Sequence, residues 1–301
     1  MASGDVEEQI RAAAFSHLDR LRAAKPDDGL RSLDINTFVF DDRATKLIVQ
    51  TGIWKPAGLD AALSIRTTYT RPGELPPYED DIGADGYVRY KYRGTDPQHS
   101  DNRALREAMS RRLPLIYFVG ISSGVYYARY PVWIIGEDRA LLEFTVAVDE
   151  AQRAMASADL AWADKAYALR LTKQRLHQPV FRTRVLRAYD DTCAMCRLRH
   201  AELLDAAHIL PDTHPRGLPV VPNGLSLCKI HHAAYDKNIV GIRPDLVVEV
   251  DRNVLAEVDG PMLRHGLQEM NGAQIIVPRA RDAQPDKQRL EERYEQFRAA
   301  G

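Results

Sequence analysis

Hydrophobic and polar positions along this chain follow three successive textures. Over residues 5–24, Val6, Ile10, Ala13, Ala14, His17, Leu18 and Leu21 fall near one helical face, which predicts an amphipathic helix. Lys25-Pro26-Asp27-Asp28-Gly29 ends it. From 36 to 150 the period shortens to apolar and aromatic runs between Gly and Pro turns. The runs are 37–40, 63–69, 87–92, 115–119, 125–130, 132–135 and 141–146, and they predict strands, with one helix over 102–112. From about 150 the texture becomes Ala-rich and helical, and a connecting helix is expected over 151–171. Further on, 203–210 and 225–227 read as strands and 229–236 as a short helix. Residues 285–300 read as a charged amphipathic helix with Leu290, Tyr294 and Phe297 on one face, expected to pack on its domain.

These textures predict an α+β chain with a β-rich domain over 1–150, a helical linker over 151–177 and a mixed domain over 178–301. A length of 301 residues suits two domains. With 28% charged and 45% hydrophobic residues the composition is that of a globular protein. No run approaches the roughly 18 apolar residues of a membrane span. The N-terminus has acidic residues and no apolar core of a signal peptide, so a cytoplasmic location is expected. The net charge of −1 rules out a polycation, and any nucleic-acid contact must come from a local patch. One candidate is 165–200, where nine Lys or Arg face two Asp. Arg182, Arg184, Arg187, Arg197 and Arg199 are its candidate contacts to a DNA backbone.

Three cysteines, an odd number at short spacing, argue for metal binding over a disulfide framework. Cys193-x-x-Cys196 and Cys228-x-x-His231 supply three sulfurs and one imidazole, a tetrahedral set suited to Zn²⁺. Four protein ligands leave no open position, so this zinc is expected to be structural, joining segments about thirty residues apart.

Around and between those halves lies a second series. The strand over 203–210 carries His208. A proline-rich loop leads to Asn223-Gly224 and a second strand, and the helix over 229–236 carries His232 and Asp236. His208, Asn223 and His232, at intervals of fifteen and nine residues, resemble the motif of the HNH endonucleases with the ββα-metal fold. The resemblance covers about 178–242, and Gln178 to Tyr189 looks like the helix that precedes this motif in bacterial members. It implies phosphodiester hydrolysis leaving a 5′-phosphate. His208 is then the general base, His232 a ligand of a catalytic divalent metal such as Mg²⁺ or Mn²⁺, and Asn223 the residue that pins the loop and orients His208. Asp236, four residues after His232, shares its helix face and is a candidate second ligand, while His231 points about 100° away, toward a different metal. One departure stands out. Many members place an Asp or His just before the base, where this chain has Ala207. Asp205, two residues earlier on the strand, is the candidate substitute. His200 and His214 lack such context and are expected at the surface.

The β-rich half is expected to select the target. Gly52-Ile53-Trp54-Lys55-Pro56 followed by Leu63-Ser64-Ile65, together with Pro77-Tyr78-Glu79-Asp80-Asp81, resemble segments of the SRA-like or PUA-like domains joined to HNH modules in modified-base restriction enzymes. That resemblance implies a flipped base stacked on aromatics and hydrogen-bonded at its edge, with Trp54, Tyr69, Tyr78 and Asp80 as candidates. The expectation is a bacterial restriction endonuclease acting on double-stranded DNA that bears a modified cytosine, cutting both strands as a homodimer. Two alternatives stay open: a nuclease gated by a small nucleotide ligand of the N-terminal domain, and a non-catalytic, zinc-stabilised DNA-binding protein.

Overall fold

The computed structural model describes residues 3–24, 29–69, 81–156 and 162–300. The chain is α+β and folds as two units, residues 1–180 and 181–301. In the first, helix α1 (Ser3–Ala23) is followed by β1 (Gly29–Arg31), α2 (Ser32–Ile35), the hairpin β2 (Val39–Phe40) and β3 (Arg43–Ala44), and then β4 (Ile53–Trp54), β5 (Ser64–Thr67), β6 (Asp81–Ile82) and β7 (Val88–Lys91). Helix α3 (Ser100–Ser110), β8 (Leu115–Ser122), β9 (Val125–Asp138), β10 (Glu143–Ala147), α4 (Glu150–Met155) and α5 (Trp162–Thr172) complete it. The sheet runs β4-β5-β8-β9-β10-β7-β6, with β1 also paired to β9.

Strand alternation divides the apolar side chains of β8 and β9 between two cores. Ile116, Phe118, Tyr126 and Ala128 face one cluster with Ile10, Ala14 and Leu18 of α1. Leu115, Tyr117, Val119, Val125 and Tyr127 face the other, with Ala104, Leu105 and Ala108 of α3. Burial on both faces is why β8 reads as an almost unbroken apolar run.

Residues 125–130 and 132–135, read from sequence as two strands, form the single strand β9. Pro131 does not break it because it lies where the ladder is already irregular: β9 pairs with β8 at Val132 and Arg129 across a register shift, and with β10 from Trp133 onward. A residue there is not required to donate to the ladder.

The single helix expected over 151–171 is instead α4 and α5, with residues 157–161 outside the described set. Both pack on the first unit. The Gln152 side chain accepts from Val148 N at 2.9 Å and donates to Ala168 O at 2.8 Å and Thr172 Oγ1 at 2.7 Å. A π-helical turn, Lys173–His177, leads from α5 into α6 (Gln178–Ala188). Pro179 has no N–H for the carbonyl of Arg175, and that carbonyl accepts from Tyr127 Oη at 3.5 Å instead.

The second unit holds the rest of α6, β11 (Leu204–His208), β12 (Gly224–Cys228), α7 (Lys229–Asp236), the hairpin β13 (Val240–Ile242) and β14 (Val248–Val250), and helices α8 (Arg252–Ala256), α9 (Pro261–Gly266) and α10 (Lys287–Ala300). Strands β11 and β12 pair antiparallel, Leu204 opposite Cys228 and His208 opposite Gly224. One core joins Phe181, Val185 and Leu186 of α6, Leu204 and Ala207 of β11, Leu225 and Leu227 of β12, Tyr235 of α7 and Leu290 of α10. Among the described residues no helix is long and apolar enough to cross a membrane.

Candidate active site and metal centre

The hairpin β11–β12 and helix α7 place two sets of polar side chains on consecutive residues. Cys228 ends β12 and His231 lies in the first turn of α7, so the Cys-x-x-His spacing turns both toward the Cys193–Cys196 knuckle. The knuckle is shaped by its main chain. Cys193 N–H donates to Leu198 O at 2.9 Å and Ala194 N–H to Ser226 O of β12 at 2.7 Å, while Arg197 adopts the left-handed conformation with φ 65°.

The ligand atoms of Cys193, Cys196, Cys228 and His231 all lie within 4.8 Å of one another. His231 Nδ1 is 3.5 Å from Cys193 Sγ and 3.2 Å from Cys228 Sγ, and Cys196 Sγ is 4.0 Å from Cys228 Sγ. Zinc bonded at about 2.3 Å to sulfur and about 2.0 Å to nitrogen sets tetrahedral edges of about 3.5 to 3.8 Å, close to these separations. The other ring nitrogen, Nε2, lies 2.7 Å from Gly266 O, which fixes the tautomer that leaves Nδ1 free for a metal. The residues therefore suit a tetrahedral, thiolate-rich metal site. Among the described residues no other group of three or more Cys, His, Asp or Glu gathers in this way.

The second set surrounds His232, the next residue of α7. His232 Nε2 is 3.4 Å from Asp236 Oδ2, one helical turn on. Its Nδ1 is 3.6 Å from Asp205 Oδ2. The two carboxylates thus address opposite nitrogens. His232 and Asp236 can share one cation, whereas Asp205, offered from sequence as a third ligand, stands on the far side of the ring. Its Oδ1 faces Arg182 Nε at 3.8 Å. Ala207 is fully buried in the core and leaves its position without a ligand.

His208 ends β11. Its ring stacks on Phe181 of α6, with centroids 4.1 Å apart and planes inclined by 22°. Its Nε2 is buried and accepts or donates no hydrogen bond among the described residues. Burial lowers the pKa of the imidazole from the ordinary value; the charges of Asp212 and Asp236 pull it up and that of His232 pushes it down. A neutral ring is the state a general base requires, and with Nε2 closed to solvent Nδ1 is the nitrogen left to reach a water.

Asn223 is fully buried. It accepts from Leu210 N, donates to Leu210 O and Leu218 O at 2.9 and 3.1 Å, and its own carbonyl accepts from Ile209 N at 2.9 Å. These bonds hold Ile209 and Leu210, the two residues that follow His208.

The remaining sequence candidates divide. Arg182 donates to Ala201 O at 2.8 Å and Leu204 O at 2.9 Å, so much of its guanidinium is committed to the protein. Arg184 and Arg187 are half-buried on α6, and Arg197 and Arg199 are exposed beside the knuckle. Trp54 Nε1 donates to Lys46 O at 2.7 Å. Tyr69 lines a groove of about 980 Å³ with Asn36, Gln50, Arg66 and Tyr126. Tyr78 and Asp80 lie outside the described residues. His200 is exposed, but His214 is half-buried against Glu292 Oε1 at 2.8 Å.

Sequence reasoning missed Arg293. It sits on the apolar face of α10 between Leu290 and Phe297, is 8% exposed, donates to Tyr235 O and, at 2.6 Å, to Asn238 Oδ1, and lies over the Tyr235 ring. It thereby satisfies the carboxyl end of α7, the helix that carries both histidines. Its position on that apolar stripe was the available signal.

Residues 193–243, which hold the four cluster residues as well as Asp205, His208, Asn223, His232 and Asp236, match the model of the family described as HNH endonuclease. No curated protein matches the chain. Among solved structures, a modification-dependent TagI restriction endonuclease is 18% identical over 82% of this chain and 85% of its own, with a TM-score of 0.30, too low to carry an argument. The chain therefore carries an HNH endonuclease domain at residues 193–243, and by that domain it is a nuclease.

Proposed function

We propose that this protein is a metal-dependent endonuclease of double-stranded DNA that restricts DNA carrying a modified cytosine. The observation that carries the catalytic half is the His208 ring at the end of β11, its pKa lowered by burial, its Nε2 shut off from solvent so that Nδ1 is left to meet water, and the charges of His232 and Asp236 acting on it. His208 takes a proton from the attacking water. His232 and Asp236 hold a divalent cation, Mg²⁺ or Mn²⁺, which offsets charge on the phosphate and on the leaving oxygen. Asp205 braces the opposite nitrogen of His232, and Asn223 holds the segment after the base. Cys193, Cys196, Cys228 and His231 bind a structural zinc that joins the knuckle to α7. Arg197 and Arg199, both exposed, are the leading contacts to the DNA backbone.

The first unit is assigned the choice of DNA, as an SRA-like or PUA-like reader. Its groove supports this: Tyr69 is a half-buried aromatic at its wall, and Gln50 and Arg66 line it with polar side chains. One active site per chain cuts one strand at a time, so a concerted double-strand cut is assigned to two copies.

The test is digestion of plasmids containing cytosine, 5-methylcytosine or 5-hydroxymethylcytosine, each with Mg²⁺ or Mn²⁺, by the wild type and by His208→Ala. Cleavage confined to modified plasmid and lost in the variant is expected. Cleavage by His208→Ala at the wild-type rate would overturn the catalytic assignment, and equal cleavage of all three plasmids the selective one.

A further inference from the structure

We infer that Phe181 is a positioning residue for the reaction, fixing the plane of the His208 ring so that Nδ1, the nitrogen that is not buried, points at the water it deprotonates. This rests on the reading of His208 as the base. Three observations support it independently of that reading. First, no hydrogen bond among the described residues holds the buried Nε2, so the orientation of the ring, and with it the direction of Nδ1, depends on how the ring face is packed. Second, Phe181 covers that face at 4.1 Å with a tilt of 22°, a parallel stack that resists rotation of the imidazole about its bond to the strand. Phe181 is itself 2% exposed and wedged in the core, so its own ring is immobilised.

Third, the chain keeps space for this stack at one specific position. Gly224 is the register partner of His208 across the β11–β12 ladder. A Cβ there would lie 2.4 Å from Val185 Cγ2 and 3.0 Å from Phe181 Cζ, below ordinary contact. The backbone of Gly224 is ordinary extended strand, φ −129°, so conformation does not call for glycine. Clearance for α6 does. The glycine opposite the base thus lets the aromatic of α6 settle onto it, and Asn223, next in the chain, ties down the far side of the same turn.

The arrangement differs from one in which a carboxylate or carbonyl orients a catalytic histidine by a hydrogen bond. Here a hydrocarbon face takes that role for the ring. A shift of the base by about 1 Å is enough to cost up to about a hundredfold in rate.

The experiment compares full-length wild type, Phe181→Leu and Phe181→Tyr. Leucine fills the site without a ring face, and tyrosine keeps the face. Single-turnover cleavage of a 5-hydroxymethylcytosine plasmid with Mn²⁺ is read beside DNA affinity from fluorescence anisotropy and zinc content. Phe181→Leu is expected to cleave at least about tenfold more slowly at saturating enzyme, with unchanged DNA affinity and zinc, while Phe181→Tyr stays within about threefold of wild type. Wild-type cleavage by Phe181→Leu would overturn the inference, as would an equal loss in Phe181→Tyr, since a packing role alone does not distinguish ring from aliphatic. If Phe181→Leu does not fold, the pair Gly224→Ala and Val185→Ala combined presses a methyl on the Phe181 ring with room restored beside it. The same selective loss of rate is expected there, and an unchanged rate refutes the inference. His208→Ala runs in parallel: if it cleaves at the wild-type rate, the reading of His208 as the base fails; if it is inert while Phe181→Leu is normal, only the role of Phe181 fails.

Discussion

The side-chain amide of Asn223 is bonded twice to the main chain of Leu210, accepting from its N–H at 3.0 Å and donating to its carbonyl at 2.9 Å. An amide at this buried point uses both its donor and its acceptor, and an aspartate, though nearly the same shape, has no donor to offer. Asn223→Asp is therefore expected to lose about 2 to 3 kcal/mol of stability, from unpaired carbonyls of Leu210 and Leu218 and a buried charge. Cleavage should fall at least about tenfold, because the segment after His208 loosens. Denaturant melts and cleavage rates check both, and a melt superimposable on wild type would sink the expectation.

Cys228 belongs to both β12 and the metal cluster. Cys228→Ser should release the proposed zinc, lowering metal content from about one ion per chain toward none. With it the second unit should lose its cooperative unfolding transition. Elemental analysis and calorimetry read this directly; a metal-free variant that still melts cooperatively at the wild-type temperature would contradict it.

The lowered pKa of His208 has a definite sign. Burial holds the ring neutral below the ordinary imidazole value, so cleavage should persist as pH falls through about 6.5 and fail only at lower pH. In stability the same group works the other way. Below about 6.5 the unfolded chain takes up the proton first, so this contribution to stability is lost as pH falls toward the folded-state value. A pH–rate profile with its acid limb at or above the ordinary value would contradict the placement of the ring.

The two carboxylates near His232 should separate. Asp236→Asn removes a group that shares Nε2 and is expected to raise the Mn²⁺ concentration for half-maximal cleavage by about tenfold or more. Asp205→Asn should change it less and lower mainly the rate, since Asp205 touches the other nitrogen. Titrations of cleavage against Mn²⁺ compare them, and equal weakening by the two variants would mean that Asp205 is a ligand.

Arg293→Leu leaves Tyr235 O and Asn238 Oδ1 without their donor. A loss of about 2 to 4 kcal/mol in the stability of the second unit is expected, read by urea titration. A change under 0.5 kcal/mol would show that the end of α7 needs no cap.

Much of the site could be read before folding because its parts are short and local. Helix α7 was predicted as 229–236 and spans those residues, since Cys228 precedes it and Asn238, in the left-handed conformation at φ 56°, closes it. The Cys and His spacing gave the cluster, as all four residues sit within one turn or knuckle of a neighbour. What was not legible came from distant pairings. Phe181 and His208, twenty-seven residues apart, meet only because β12 carries a glycine between them. Asp205 shares a strand with Ala207, yet only the packing of α7 decides that it meets Nδ1 of His232 and not the nitrogen facing Asp236. In the first unit, Pro131 reads as a break because sequence does not reveal that β9 exchanges partners at that point.

His231 and His232 are consecutive, one belonging to the sulfur cluster and the other to the proposed catalytic pair. The practical consequence concerns chelators. An agent that strips a tightly held soft metal would also scatter the ligands of a loosely held hard one, and activity would not return on adding Mg²⁺ or Mn²⁺ alone. Inhibition by a zinc-selective chelator would then report on scaffold integrity, and would say nothing about which ion meets the phosphate.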